Sequence, residues 1–453
     1  GHMKLQPYIY NLVSLGGMVV LLGTAWLLSS SKKNINWRAL VWGFALQMAF
    51  GAFIFLFPPG RQLFIFLNDI VVAILNSSLA GVRFVFGWLA APNEVLGPLF
   101  GNMVKSGQMK AVPNLFILAT QSFPTIIFFS ALMALLYYLK IMPLIIKGFS
   151  FVFAKLMRIS GAESVATASN IFVGVESALT VKPYLEEMTK SELALVLTAG
   201  MATIASSVLG IYVMALKGTF PSIAGHLISA SILSAPAAIM MAKLMVPEDD
   251  APKTMGKDVE PHYERDANVF ASVINGANDG LKLVFGIVAL LIAVLGIVAL
   301  VNLTLGFGVG IFNKICHTTF TLVLDDIFGL VFYPFTLAIG VPVEDAFKIA
   351  RVIGERVVST EVKSYSDLAA LMASGSLKYQ RSAVIASYAL CGFAHIPSLA
   401  IFVGGISALA PGRMKDLTSI AARALVAATL ACLFTACIAG FFFTTTPIVL
   451  HFK

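Results

Sequence analysis

Residues 381–410 read RSAVIASYALCGFAHIPSLAIFVGGISALA, a run long and apolar enough to cross a bilayer that sets His395, Pro397 and Ser398 near its middle. A helix that only had to fill the membrane would not use them there. Pro397 removes a backbone donor and frees a carbonyl in the preceding turn. Polar backbone at membrane depth is tolerated only where protein buries it or where it lines a cavity. The segment therefore reads as a discontinuous span forming one wall of a polar site.

The surrounding composition agrees. Of 453 residues, 58% are hydrophobic and 12% charged, against about a quarter charged in soluble domains. The fold class is an all-α polytopic membrane protein. Apolar runs near 8–29, 39–57, 114–139, 190–216, 223–246, 281–303, 381–410 and 417–445 are candidate spans. The net charge of +8 is not a nucleic-acid footprint. Basic residues cluster in short connections (Lys32, Lys33 and Arg38; Lys140, Lys147, Lys155 and Arg158; Lys182 and Lys190; Arg413 and Lys415), as cytoplasmic loops require. Cys316, Cys391, Cys432 and Cys437 form no CxxC pair and read as buried thiols. The GHM at 1–3 reads as a tag remnant and is set aside, and no cleavable signal is evident. GFGVG at 306–310 lacks the lysine of a phosphate-binding loop and reads as an ordinary loop. With no HExxH and no P-loop, a zinc protease and an ATP-driven pump are disfavoured.

Several segments do not fit a ladder of straight spans. RQLFIFLNDIVVAILNS (61–77) and IMPLIIKGFSFVFAKLMR (141–158) read as interfacial amphipathic helices. Residues 247–268 form a polar linker, expected in the cytoplasm, that divides the chain into halves. Residues 163–188 and 344–372 are each long enough to enter the bilayer, yet each is broken mid-way. The breaks fall at Gly174 with Glu176 and at Ser359-Thr360-Glu361, the pattern of re-entrant hairpins. Counting basic loops, the first hairpin opens to the cytoplasm and the second to the outside.

The span after each hairpin repeats. KSELALVLTAGMATIASSVL (190–209) lies over 381–400, setting Lys190 on Arg381, Ser191 on Ser382 and Ser207 on Ser398. Halves that open oppositely make an inverted repeat, the plan by which secondary transporters build a midplane site from broken helices. Intramembrane Glu176 and Glu361 are then functional candidates, with tip-holding pairs to Lys182 and Lys363 as the structural alternative. His395 can donate, accept or titrate, and Ser398 offers a hydroxyl one turn on. Asn170 and Thr203, with the carbonyls of Val173 and Ile204, suit an oxygen-only cage for a small hard cation. Arg351, Glu355 and Arg356 are expected to form an ion-pair network.

ASNIFVG (168–174), TIASSVLG (203–210), GVPVEDA (340–346), ALCGFA (389–394) and LAPGRMKD (409–416) together resemble the concentrative nucleoside transporter family. The resemblance implies eight transmembrane helices, two re-entrant hairpins and interfacial helices in a homotrimer. It implies Na+- or H+-coupled nucleoside import by an elevator-like motion, without enzymatic activity, cofactor or nucleic-acid partner. The scaffold would comprise 4–60, 114–140 and 281–305, and the moving domain 61–80 with 141–246 and 317–446. Substrate would meet Val175, Glu176, Ser177, Val208, Glu361, Phe393, His395 and Ser398. Na+ would meet Asn170, Val173, Thr203 and Ile204. Two departures from the family pattern stand out. Val175 replaces a Gln-Thr pair at the first hairpin tip, and His395 replaces an asparagine. The implied function is a symporter of a bacterial inner membrane, with Na+ ahead of H+. The alternatives are a modified nucleoside or other polar solute, or H+ coupling through His395 and Glu176.

Overall fold

Polar interruptions, more than apolar runs, decide where the helices of this chain stop. The computed structural model describes residues 8–91, 97–98, 101–103, 105–107 and 117–444. Helices α1 (Ile9–Leu27), α2 (Trp37–Leu56) and α3 (Pro58–Phe86) come first. After a single turn at Leu118–Gln121 come α4 (Phe123–Tyr138) and α5 (Ile141–Met157). The first hairpin follows: α6 (Gly161–Asn170), a non-helical tip at 171–174, and a 3-10 limb over Val175–Glu187. The next span is broken into α7 (Lys190–Ala202) and α8 (Ser206–Leu216), and α9 (Ile223–Met245) ends the first half.

Across the linker lie α10 (Val269–Cys316) and α11 (Leu324–Ala338). The second hairpin is α12 (Val343–Val358) and α13 (Glu361–Ala373), parted at Ser359-Thr360. The second broken span is α14 (Gln380–Ala389) and α15 (Ile396–Leu409), and α16 (Met414–Phe441) closes the described chain.

Among the described residues, eight helices or helix pairs are long and apolar enough to cross a membrane. Burial within the chain sorts them: 89% of the best apolar window for both Lys190–Leu216 and Ile223–Met245, against 6% for Val269–Cys316. The core is thus α7, α8, α9 and α16, while α10 turns an apolar face outward. The inner face of α10 packs on α4 through small residues. A Cβ at Gly276 would lie 2.8 Å from the Ser130 carbonyl oxygen, and one at Gly280 would lie 2.8 Å from Ile127 Cα. Close backbone approach of this kind replaces hydrophobic drive between helices in lipid.

The two halves are latched by corresponding devices. In the second, Asp345 at the start of α12 accepts the Lys378 N–H at 2.9 Å, the Tyr379 N–H at 3.1 Å and the Ser382 hydroxyl at 2.7 Å. In the first, Ser160 and Glu163 form a capping box for α6, and Glu163 pairs with buried Lys243, which also donates to Ser191 at 2.9 Å. Ser191 and Ser382 are the serines that the repeat superposes.

Several expectations are corrected. Residues 61–77 lie inside the 29-residue α3, long and apolar enough to span; the polar Asn68 is turned inward and accepts the Gly225 N–H at 3.1 Å. GFGVG lies within α10, because glycine inside an apolar run does not end a membrane helix. The span expected at 281–303 is only the middle of the 48-residue α10. Helix α11 has no counterpart among the spans expected from the sequence. Cys316, the last residue of α10, is exposed, whereas Cys391, Cys432 and Cys437 are buried and unpaired.

Candidate functional site

The breaks of both spans and the tip of the first hairpin meet. A Cβ on Gly392 would lie 2.9 Å from the carbonyl oxygens of both Met201 and Ala202, so the α14–α15 break presses on the end of α7. Only glycine permits that approach. The tip at Gly174 faces Ala205 in one break, at 3.4 Å from its Cβ position, and Phe393 in the other, at 3.9 Å. A backbone hydrogen bond from Ser206 N–H to the Phe172 carbonyl, 2.9 Å, ties the tip to the restart at α8.

The second hairpin contributes Glu361, the first residue of α13, behind the N-cap Thr360. Its carboxylate is buried. Oε1 accepts the Tyr212 hydroxyl at 2.8 Å, and Oε2 lies 2.5 Å from His395 Nε2. His395 is the N-cap of α15, its Nδ1 accepting the Ser398 N–H at 3.1 Å; Ser398 Oγ is 3.0 Å from Nε2. Glutamate and serine thus meet the same ring nitrogen. A nucleophilic relay needs them on opposite nitrogens, so the cluster is not a hydrolase triad. Phe393 stands edge-on to the His395 ring, with centroids 6.4 Å apart. Val208 is buried in α8.

Glu176 is separate from this cluster. It is exposed into a cavity of about 590 Å3 with Phe172, Val173, Gly174 and Ser207 on one side and Tyr137, Asp279 and His262 on the other. The linker closes one end: the His262 N–H donates to the Thr180 carbonyl at 2.8 Å, and Tyr263 stacks on Tyr137 at 5.5 Å. The side chain of Val175 lies outside the described residues, though its backbone opens the 3-10 limb. Ser177 is buried and donates to Asn170 Oδ1 at 2.8 Å, so its hydroxyl is turned to Asn170, a candidate cation ligand, instead of the cavity.

The cation candidates are all at the tip or the first break. Asn170 donates to the Ala166 carbonyl at 2.9 Å, and Thr203 donates to the Ala199 carbonyl at 2.8 Å, which leaves oxygen lone pairs on both side chains. Among the described residues, no hydrogen bond ends on the carbonyl of Val173 or Ile204. That donor set fits a hard monovalent cation. Among the described residues no three His, Cys, Asp or Glu side chains gather as a transition-metal site.

The alternative lysine pairings do not occur. Lys182 reaches Glu264 of the linker at 3.5 Å, and Lys363 binds Glu355 at 2.8 Å and also Asp367. The expected network on α12 is split: Arg351 pairs with Asp326 of α11 at 3.1 Å, while buried Arg356 donates to the Ala389 carbonyl at 2.5 Å, where α14 ends. Tyr212 was not singled out from sequence. A buried tyrosine needs a hydroxyl partner, so its place in the apolar run GIYVMAL is the one signal that pointed to it.

Three family models cover most of the chain: Na+ dependent nucleoside transporter N-terminus over 16–89, nucleoside recognition gate over 119–219, and Na+ dependent nucleoside transporter C-terminus over 226–440. Solute carrier family 28 member 3 of Mus musculus is 37% identical across 97% of this chain, which spans 60% of that relative's length. Nucleoside permease NupC of Helicobacter pylori is 34% identical, covering 95% of this chain and 98% of its own. CNTnw in an inward-facing substrate-bound state matches with a TM-score of 0.84 and 34% identity, covering 96% of this chain and 98% of that one. A CNTnw variant in an outward-facing state matches with a TM-score of 0.86 at 34% identity, covering 96% and 99%. With its hairpins, broken spans and convergent tips in place, the chain belongs to the concentrative nucleoside transporter family.

Proposed function

We propose that the chain is a secondary active symporter that imports nucleosides across a bacterial inner membrane with Na+ as coupling ion. The observation that carries this reading is the buried, doubly held carboxylate of Glu361 where two broken helices and a hairpin tip converge. Charge at that depth is maintained for a ligand or a proton, and the unwound backbone around it is the usual setting of a transported solute and its ion. Sugar hydroxyls would meet Glu361 and Ser398, apolar contact would come from Phe393 and Val208, and the base would face Glu176 at the cavity. Glu176 carries an acceptor-only carboxylate when ionised, which favours a base presenting N–H groups.

Na+ is preferred to H+ because the Asn170, Thr203, Val173 and Ile204 oxygens suit it and because His395 Nδ1 is occupied by its helix cap. In this reading the hairpins and broken spans move as one body against a scaffold containing α4 and α10. The outward apolar face of α10 would meet lipid and the other subunits of a homotrimer. The cavity beside the linker would be the cytoplasmic approach.

The test is uptake by purified protein in liposomes, with pyrimidine, purine and modified nucleosides under an imposed Na+ gradient or an imposed H+ gradient. Accumulation driven by Na+ is the expected result. Accumulation driven by H+ alone would move the coupling site away from the oxygen cage. No accumulation of any nucleoside would overturn the substrate assignment.

A further inference from the structure

We propose that His395 is a positioning residue: it acts on substrate through Glu361 and does not itself touch the substrate. Both ring nitrogens are already committed. Nδ1 accepts the Ser398 N–H at 3.1 Å and thereby caps α15. A nitrogen that accepts carries no proton, so the ring is neutral and its proton sits on Nε2. Nε2 lies 2.5 Å from Glu361 Oε2 and 3.0 Å from Ser398 Oγ. The carboxylate can only accept, so the Nε2–H points between it and the serine oxygen. The imidazole then has no donor or acceptor left for a solute.

Glu361 is held from the other side as well. Tyr212, distant by 149 residues in sequence, donates to Oε1 at 2.8 Å. Tyr212 is itself fixed by stacking on Tyr365 with centroids 4.5 Å apart, and the Tyr365 hydroxyl donates to the Ser387 carbonyl at 2.7 Å. The carboxylate is therefore oriented by one donor on each oxygen, and each oxygen keeps a free lone pair. Ser398 accepts from the imidazole, so its own hydroxyl hydrogen remains free. The groups left for a solute are acceptor sites on Glu361 and one donor on Ser398, a pair that recognises a hydroxyl donating to the first and accepting from the second. The clamp is a property of the fold; only the identity of that hydroxyl as a nucleoside's rests on the function proposed above.

Three substitutions separate the roles. His395→Asn keeps a capping acceptor near the Nδ1 position and removes the donor to Glu361. His395→Gln keeps a donor reaching the Nε2 position and removes the cap. Tyr212→Phe removes the opposite donor. Uptake in liposomes is measured as KM and Vmax, with thermal melting of each purified variant as the folding check. A hydrogen bond to a charged group is worth ~1.5–3 kcal/mol, or roughly 10–100-fold. His395→Asn and Tyr212→Phe are each expected to raise KM by about tenfold with little change in Vmax. His395→Gln is expected to stay within about threefold of wild type in KM while melting lower. Because both donors act on one carboxylate, the Tyr212→Phe and His395→Asn effects must couple. A double variant whose KM change equals the product of the single changes would overturn the proposal, since independent contacts add.

The second readout needs no substrate. Protein carrying 15N-labelled histidine in bilayers is expected to show a neutral Nε2–H signal that His395→Gln removes. An Nδ1–H tautomer or an imidazolium at neutral pH would overturn the clamp. If no nucleoside is taken up at all, the transport reading fails while this spectrum still decides the role of His395.

Discussion

Glu361 opens α13, where unpaired backbone N–H groups and the positive end of the helix dipole favour a carboxylate. Exchange for glutamine preserves shape but turns an NH2 group toward one of two donors, Tyr212 or His395. Losing a charged hydrogen bond at a buried site costs about 1.5–3 kcal/mol. Glu361→Gln is therefore expected to lower nucleoside uptake at least about tenfold at low substrate, with normal elution and melting. Near-wild-type uptake would remove Glu361 from the site. The carboxylate stood out in the sequence because an ionisable group at the break of a membrane-inserted hairpin is costly to leave without a role. Its partners were less so. Lys363, two residues on, looked like the counter-charge, but helix geometry carries it to Glu355 and to Asp367 one turn later. Tyr212 comes from another span, and no local pattern encodes a contact across 149 residues.

Among the elements, the broken helices depend on close contacts that side chains would spoil. A methyl on Gly392 would meet Cys432 Sγ at 2.7 Å and the Met201 and Ala202 carbonyl oxygens at 2.9 Å. Overpacking of that kind costs about 1–3 kcal/mol. Gly392→Ala is expected to lower the melting temperature in detergent and to reduce uptake; an unchanged melt would mean that the two breaks do not press together. The latch of the first half gives a second test. Lys243→Met leaves Glu163 buried without its cation, a loss of about 3–5 kcal/mol, whereas replacing both partners is often nearly neutral. Lys243→Met should melt well below wild type, and adding Glu163→Gln should restore much of the difference. If the double variant is no more stable than the single, the pair is not what stabilises this end. The hairpins and the repeat could be read from sequence because polar residues interrupt apolar runs at matching places. The α10 glycines and α11 could not. Glycine is a breaker in water but a packing residue in lipid, and α11 is a 15-residue helix that opens on two aspartates and contains Pro334, too short an apolar run to stand out as a span.

At the scale of the whole molecule, one cavity joins parts assigned to opposite sides of the proposed motion. The first hairpin supplies Glu176 and Leu179, α4 and α10 supply Tyr137 and Asp279, and the linker supplies His262 and Tyr263. The linker bridges both, binding Thr180 of the hairpin and stacking on Tyr137 of α4. Sequence could place the linker and its polarity but not these walls: on α10 the polar positions Asn275, Asn278, Asp279 and Lys282 lie at the edge of the apolar run, where nothing local says what they face. If the hairpins move against α4 and α10, the cavity must open and close with the cycle. Leu179, 44% exposed, is the position to test, after Cys316→Ser removes the one exposed thiol among the described residues. The remaining cysteines are fully buried and give little background. In Leu179→Cys protein, a membrane-impermeant maleimide is expected to label from the linker side and not from the opposite side. Na+ with a transported nucleoside should change that labelling rate by several-fold, since a ligand shifts a two-state equilibrium only by its differential affinity for the states. Equal labelling from both faces would mean that the cavity is not a one-sided approach. Labelling indifferent to both ligands would separate the cavity from the transport cycle and leave the Glu361 cluster as the solute site without Glu176.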